Sequence, residues 1–232
     1  DNIDVSACEA RGLQVIAATG ANALAVAEYV ICAAMLLLRG AYQSSATVAA
    51  GQWPRTALSG GRETAGKTLG LIGFGSIGQF TARLAHALGM EVIAFDALMA
   101  ADHPAFAACG VRAVTLDGLV ATADVVSLHV PLADSTRKLF DARRIAAMKR
   151  GAVLINTARG GIVDEVALAA ALRSGALGGA AIDVYASEPL PASAHFEGCP
   201  NLLLTPHIAG VTAESNERVS SMIADKVLEA LR

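Results

Sequence analysis

From Thr68 onward the chain alternates short unbroken apolar runs with longer segments whose apolar residues recur every three or four positions. The unbroken runs have the length of strands buried on both faces, and the spaced segments have the period of helices packed against them. Residues 68–72, 90–95, 111–115, 124–129, 152–156, 180–185 and 202–205 are therefore predicted strands, seven in all. Helices are expected over 79–88, stopping at Gly89, over 141–148, from a cap at Asp164 through Leu172 toward Gly175, and over 212–231. Such alternation predicts a single parallel sheet with helices on both faces. Upstream, residues 22–38 form a long helix, continued beyond Gly40 over 41–50 and then by Gly51-Gln52-Trp53-Pro54. Apolar residues run round most of its circumference, which fits burial against a second copy of the chain as well as burial in its own core.

Between the first strand and its helix lies Gly73-Phe74-Gly75-Ser76-Ile77-Gly78. A lone GxGxxG is weak, since a chain with 22 glycines produces near matches by chance. Set between an apolar strand and a helix, it describes a pyrophosphate cradle. Gly73 permits the tight turn, Gly75 lets the backbone approach phosphate, and Gly78 lets helix and strand pack closely. Ser76 and Ile77 complete the candidate loop, and the phosphates would sit on a helix N-terminus, where free N–H groups and the dipole favour negative charge. Asp96 ends the second strand about 20 positions on, where a dinucleotide-binding fold hydrogen-bonds the ribose hydroxyls. Its carboxylate would repel a 2′-phosphate, and Ala97, Leu98 and Met99 offer no arginine to hold one, so NAD is expected over NADP. The alternative is that Asp96 only closes its own loop. The fold class that follows is a Rossmann-type doubly wound α/β sheet with a long N-terminal helix.

Composition narrows the function. At 232 residues, 54% hydrophobic and 17% charged, the chain can bury a substantial core. A net charge of −3 leaves no electrostatic footprint for nucleic acid. Cys8, Cys32, Cys109 and Cys199 are scattered without CxxC spacing, so neither a disulfide framework nor a metal site is suggested, and a reducing cytoplasmic setting is expected. The most apolar stretch, 23–38, carries Glu28 and is short for a membrane span, so no membrane partner is expected. The first residue is Asp1 and no leader is visible, which reads as a fragment of a longer protein.

In an open parallel sheet, ligands bind beyond the carboxyl ends of the strands. His129 follows one predicted strand, Arg159 the next, Asp183 lies near the end of another, and His207 directly follows the last. Four polar groups on one edge make a candidate site, where any one alone would be unremarkable.

Taken in order, Gly73 to Gly78 with Asp96, Leu128-His129-Val130-Pro131-Leu132, Asn156-Thr157-Ala158-Arg159-Gly160-Gly161, Asp183-Val184-Tyr185 with Glu188-Pro189, and Thr205-Pro206-His207 resemble the D-isomer-specific 2-hydroxyacid dehydrogenases. The resemblance runs from about Ala23 to the C-terminus. It implies an NAD-dependent enzyme that interconverts a small D-2-hydroxy acid and its 2-oxo acid, with Arg159, Glu188 and His207 as the catalytic set. These residue types suit the chemistry: Arg159 offers forked donors for a carboxylate, His207 titrates near neutrality as the acid/base, and Glu188 would fix its tautomer. The resemblance further implies that Asp183 holds the nicotinamide carboxamide, while His129, Val130, Pro131, Thr136, Thr157 and Ala158 line the cofactor. For Thr136 and Thr157 the competing reading is that they satisfy loop backbone. Glu188 stands where formate dehydrogenases carry Gln, which argues against that branch of the family.

The resemblance divides the chain into a remnant of a substrate domain (1–20, including Asp1-Asn2-Ile3-Asp4), an NAD-binding domain with a dimerisation helix (21–210), and a helix returning to the substrate domain (211–232). It implies a homodimer. With the body of the substrate domain absent, this chain is expected to bind NAD and to turn over oxo acids poorly. The alternative function is NAD-sensing binding, as in the C-terminal-binding-protein corepressors, which also resemble this family.

Overall fold

The computed structural model describes residues 3–192 and 195–232, so Asp1 and Asn2 of the expected remnant lie outside the described residues. In chain order the elements are α1 (Val5–Ala10), α2 (Ala23–Arg39), a 3-10 turn (Tyr42–Ser44) running into α3 (Ser45–Ala49), β1 (Thr68–Ile72), α4 (Ser76–Ala87), β2 (Glu91–Phe95), α5 (Pro104–Ala108), β3 (Arg112–Ala113), α6 (Leu116–Thr122) and β4 (Val125–Leu128). They continue with α7 (Ala142–Ala146), β5 (Val153–Asn156), α8 (Glu165–Arg173), β6 (Gly179–Ile182), β7 (Leu202–Leu204) and α9 (Ala213–Ala230). Among the described residues the seven strands form one sheet in the order β3-β2-β1-β4-β5-β6-β7, every pair parallel. The chain reverses its direction of winding between β1 and β4, and a crevice opens there at the carboxyl ends.

Alternation within the buried strands sorts the core into two layers. Leu69 and Leu71 of β1, with Val153 and Ile155 of β5, face a cluster completed by Val30, Ala34 and Leu37 of α2. Ile72 and Leu154 point the other way, toward Leu119, Ile145 and Leu168 of α6, α7 and α8. The broad apolar surface of α2 is thus explained largely within the chain, since the helix packs on α4, β5 and β6. Leu24 and Met35 remain exposed on its outer side.

Element boundaries depart from the sequence pattern where caps and edges intervene. Helix α4 begins three residues earlier than expected, at Ser76, with the extended Gly75 as its N-cap, so half of the glycine motif is helix. The 111–115 strand shrinks to Arg112–Ala113 because it is an edge strand paired only with β2 and because Thr115 caps α6. The 141–148 helix contracts to five residues behind its Asp141 cap, and the 180–185 strand ends at Ile182.

At the amino edge of the sheet, Asp124 ties three elements together. Its Oδ2 accepts the Thr68 N–H at 3.0 Å, and its Oδ1 accepts from the Lys149 ammonium at 2.8 Å. Burial alone would raise this carboxyl, but the Lys149 hydrogen bond and the Thr68 N–H hold it below its ordinary value. Stability from the charged form is therefore present above the ordinary carboxylate range and lost as pH falls through the lowered folded value. Asp124→Asn should lower stability at pH 7 and flatten the acid limb of a stability-versus-pH curve measured by urea unfolding. An unchanged acid limb would show that Asp124 does not contribute it.

Candidate active site

The glycine loop is fixed from three sides. A Cβ on Gly73 would overlap the carbonyl oxygen of His129, and one on Gly78 would come within 2.6 Å of the Gly73 oxygen. Phe74 is fully buried and stacks on Phe106 of α5 with ring centroids 4.8 Å apart. Its N–H donates to Asp96 Oδ2 at 2.8 Å, while Asp96 Oδ1 accepts from Leu98 N–H at 2.8 Å. Asp96 therefore does close its loop, as the alternative reading held, and each carboxylate oxygen keeps a lone pair for a further donor. Gly75 differs from its neighbours, because a Cβ there would meet nothing within 4 Å. Open space above an uncapped helix start is what a phosphate requires.

Across the crevice, His129 follows β4. Burial of its ring lowers its pKa to about 4, so it is neutral at pH 7, and its Nε2 is buried without a partner. The Thr157 hydroxyl after β5 is likewise buried with no hydrogen-bond partner. Two orphaned polar atoms flanking an open glycine loop suit a polar ligand of dinucleotide size, and NAD fits this donor set. Val130 packs against the glycine loop, a role sterically consistent with the cofactor wall expected for it. Thr136 is exposed, accepts from Ala133 N–H at 2.8 Å and donates to Pro131 O at 2.6 Å, so its hydroxyl braces its own turn and keeps one lone pair for a further donor.

The expected catalytic residues converge on the same edge. His207 Nδ1 lies 2.7 Å from Glu188 Oε2, and Glu188 Oε1 accepts the Tyr185 N–H at 2.9 Å. Because a carboxylate only accepts, the proton of this contact sits on His207 Nδ1 and leaves Nε2 for exchange. Burial would raise the Glu188 carboxyl, but the bond to His207, the Tyr185 N–H and the charge of Arg159 together hold it below its ordinary value. His207 has the left-handed backbone value φ 57°, uncommon outside glycine, and its N–H donates to Asp183 O at 2.8 Å.

That conformation hangs on Asp183, which is fully buried. Its Oδ1 accepts from the Thr205 hydroxyl at 2.6 Å and from Ile208 N–H at 2.9 Å, and its Oδ2 accepts from Ala209 N–H at 2.8 Å. The single Thr205 hydrogen is spent on Asp183, so the Tyr29 hydroxyl, 2.6 Å away, donates to Thr205. Burial raises the Tyr29 pKa and keeps that proton in place. Burial and the neighbouring Asp183 charge push Tyr185 to about 12, and its hydroxyl lies 2.9 Å from each of the Ile182 and Thr205 carbonyls. Helix α2 thus holds the His207 loop through Tyr29.

Arg159 is shaped by Asn156, whose Oδ1 accepts from Ala158 N–H at 3.1 Å and whose amide donates to Arg159 O at 3.0 Å. The Arg159 guanidinium spends one N–H on Ala158 O at 2.6 Å. A cavity of about 500 Å³ is lined by Asn22, Ile77, Thr157, Arg159, Asp183 and His207. His207 also lines a more apolar hollow of about 640 Å³, together with Tyr185, Glu188, Leu190, Leu204 and Pro206. Tyr29, Asn156 and Gly160 were not singled out from the sequence as site residues. Asn156 and Gly160 flank Arg159 and could have been found locally, whereas Tyr29 reaches Thr205 across 176 positions with no local signal.

Fold and site together define a dinucleotide-binding oxidoreductase domain. Residues 31–209 match the family described as D-isomer specific 2-hydroxyacid dehydrogenase, NAD binding domain. The chain is 54% identical over 231 residues to (S)-sulfolactate dehydrogenase of Chromohalobacter salexigens, a match spanning 100% of this chain and 74% of that protein. D-3-phosphoglycerate dehydrogenase of Haemophilus influenzae is 42% identical over 99% of this chain, which spans 56% of that longer protein. Among solved structures, the glyoxylate reductase from Paecilomyes thermophila has a TM-score of 0.90 at 34% identity, over 100% of this chain and 69% of that one. The chain belongs to the D-isomer specific 2-hydroxyacid dehydrogenases, a family of NAD-dependent oxidoreductases, and contains their NAD-binding domain.

Gly75 gives the direct test of the cradle. Its φ of −70° and ψ of −160° suit any residue, so Gly75→Val should fold normally while filling the space left for phosphate. NADH titration followed by fluorescence should show affinity reduced about ten-fold or more, roughly 1.4 kcal/mol. Wild-type affinity in a folded variant would place the pyrophosphate elsewhere.

Proposed function

We propose that this chain catalyses the NAD-dependent interconversion of a small 2-hydroxy acid and its 2-oxo acid. The observation that carries this reading is the 2.7 Å contact of His207 Nδ1 with Glu188 Oε2, beside a cavity that His207 shares with Arg159. When bound, the nicotinamide supplies a hydride to C2 in reduction or accepts one in oxidation. His207 Nε2 donates a proton to the carbonyl oxygen in the first direction and takes it from the hydroxyl in the second. Glu188 offsets the imidazolium charge and keeps the proton on Nδ1. Arg159, whose guanidinium is oriented in part by its bond to Ala158 O, offers forked donors to the substrate carboxylate and polarises the adjacent carbonyl. Cofactor binding is assigned to Gly73, Gly75, Ser76, Ile77, Gly78, Asp96, His129, Val130, Pro131, Thr136, Thr157, Ala158 and Asp183. The 54% identical sulfolactate dehydrogenase supports a short acid with an anionic tail, and 3-sulfolactate is the first substrate to test.

NADH oxidation should be followed with 3-sulfopyruvate, hydroxypyruvate and glyoxylate, on this chain and on the protein at its natural full length. His207→Ala should lower kcat by about 10²- to 10⁴-fold with NADH affinity retained. Arg159→Lys should chiefly raise KM for the oxo acid, because a point charge cannot replace the fork. Tight NADH binding with no turnover by the full-length protein would instead favour NAD-sensing binding. We also propose that this chain alone binds NAD better than it turns over substrate, and comparison of the two forms tests that.

A homodimer is proposed as well, through the outer side of α2 and the segment after it, where Leu24, Met35, Val48 and Trp53 are exposed. Sedimentation velocity should report a dimer that Met35→Asp with Trp53→Asp dissociates, and a wild-type monomer would overturn the assignment. The four cysteines are all free, which supports a reducing, cytoplasmic setting. No helix among the described residues is long and apolar enough to cross a membrane.

A further inference from the structure

The backbone leading to Glu188 is gripped by the segment that carries Arg159. Gly160 sits so close to Tyr185 and Ala186 that a Cβ on it would overlap the Tyr185 carbonyl. Five residues on, at the first position of α8, Glu165 reaches back to the same place: its Oε1 accepts the Ala186 N–H at 2.8 Å. The neighbouring Tyr185 N–H is the one that donates to Glu188 Oε1. Glu165 Oε2 lies 3.3 Å from His195 Nε2, and the Glu165 side chain is only 14% exposed. From the last turn of α8, Arg173 donates to the carbonyls of His195 and Glu197 at 2.7 and 2.9 Å. One short helix therefore holds the chain on both sides of Glu188.

The adjacent acid cannot share this task. Asp164 caps α8 through Oδ1 to Ala167 N–H at 3.1 Å, and its Oδ2 meets Lys138 Nζ at 3.2 Å. Glu165 at the helix start is favoured by the dipole, and neither the cap nor the core of α8 needs its side chain. Its partners lie wholly on the segment that bears Glu188.

We infer that Glu165, paired with His195, is a positioning residue for the catalytic pair: it anchors the Ala186 backbone so that Glu188 stays on Nδ1 of His207. The inference rests on the dehydrogenase reading of the site. The same segment, 159–165, presents Arg159 at one end and clamps the Glu188 loop at the other, so carboxylate grip and proton transfer are set by one piece of backbone. Around Glu188 the titratable groups are His207 and Arg159, and around Glu165 they are His195 and the Tyr185 phenol.

The test has two readouts. In this chain, the ¹³C resonance of the Glu188 carboxyl is titrated in the unsubstituted protein, in Glu165→Gln and in Glu165→Ala, with Lys138→Ala as a control at the neighbouring cap. The Glu188 midpoint should rise in Glu165→Ala, rise less in Glu165→Gln, which keeps an acceptor for Ala186 N–H, and stay in place in Lys138→Ala. If Glu165→Ala does not fold, the Gln variant carries the comparison. In the full-length protein, Glu165→Ala should lower kcat by about 10- to 100-fold, with KM for NADH unchanged. An unmoved Glu188 midpoint in a folded variant, or a KM for NADH that rises as far as kcat falls, would overturn the assignment. Lack of turnover in the unsubstituted full-length protein would sink the dehydrogenase reading and leave the Glu188 titration to decide this one.

Discussion

All strands of this sheet run the same way, and everything at the site depends on that. A parallel sheet collects every carboxyl end on one edge, while the helix that follows a strand begins at that edge with its free N–H groups. The glycine loop after β1, Asp96 after β2, His129 after β4, Arg159 after β5, Asp183 after β6 and His207 after β7 are neighbours for this reason alone. The reversal between β1 and β4 leaves the crevice into which they point.

Holding such an edge open requires satisfying the backbone that leaves each strand. Two buried polar side chains do much of this work. Asn156 shapes the turn before Arg159, and Asp183 gathers Thr205, Ile208 and Ala209 so that His207 can hold its left-handed backbone. Both are the kind of buried, fully paired group that fixes one conformation, because losing a partner in a low-dielectric interior is costly. The two unpartnered atoms nearby, Thr157 Oγ1 and His129 Nε2, stand out against that background, which supports the proposal that a ligand meets them.

The glycine loop and the His207–Glu188 pair sit on separate supports. The cradle is braced by Phe74 on Phe106 and by Asp96, within the first βαβ unit. The His207 and Glu188 loops are braced from α2 through Tyr29 and from α8 through Glu165. A change in the bracing of the glycine loop therefore touches none of the hydrogen bonds that brace His207 and Glu188.

What the sequence determined by itself was whatever depends on neighbours along the chain. Unbroken apolar runs marked the seven strands, glycine spacing between strand and helix marked the cradle, and the positions of His129, Arg159, Asp183 and His207 near strand ends marked the candidate site, since the strand-end rule is a local one; Glu188 and the catalytic roles came only through the family resemblance. Helix starts were less legible, because Gly75 acts as a cap only once α4 is seated. Tertiary structure alone decided that α2 buries its apolar face on β5 and β6, that the Thr136 hydroxyl braces its own turn, and that Tyr29 and Glu165 reach across to the catalytic loops. Those outcomes turn on which apolar faces and which polar groups meet after folding, a pairing between distant segments that periodicity along the chain does not encode.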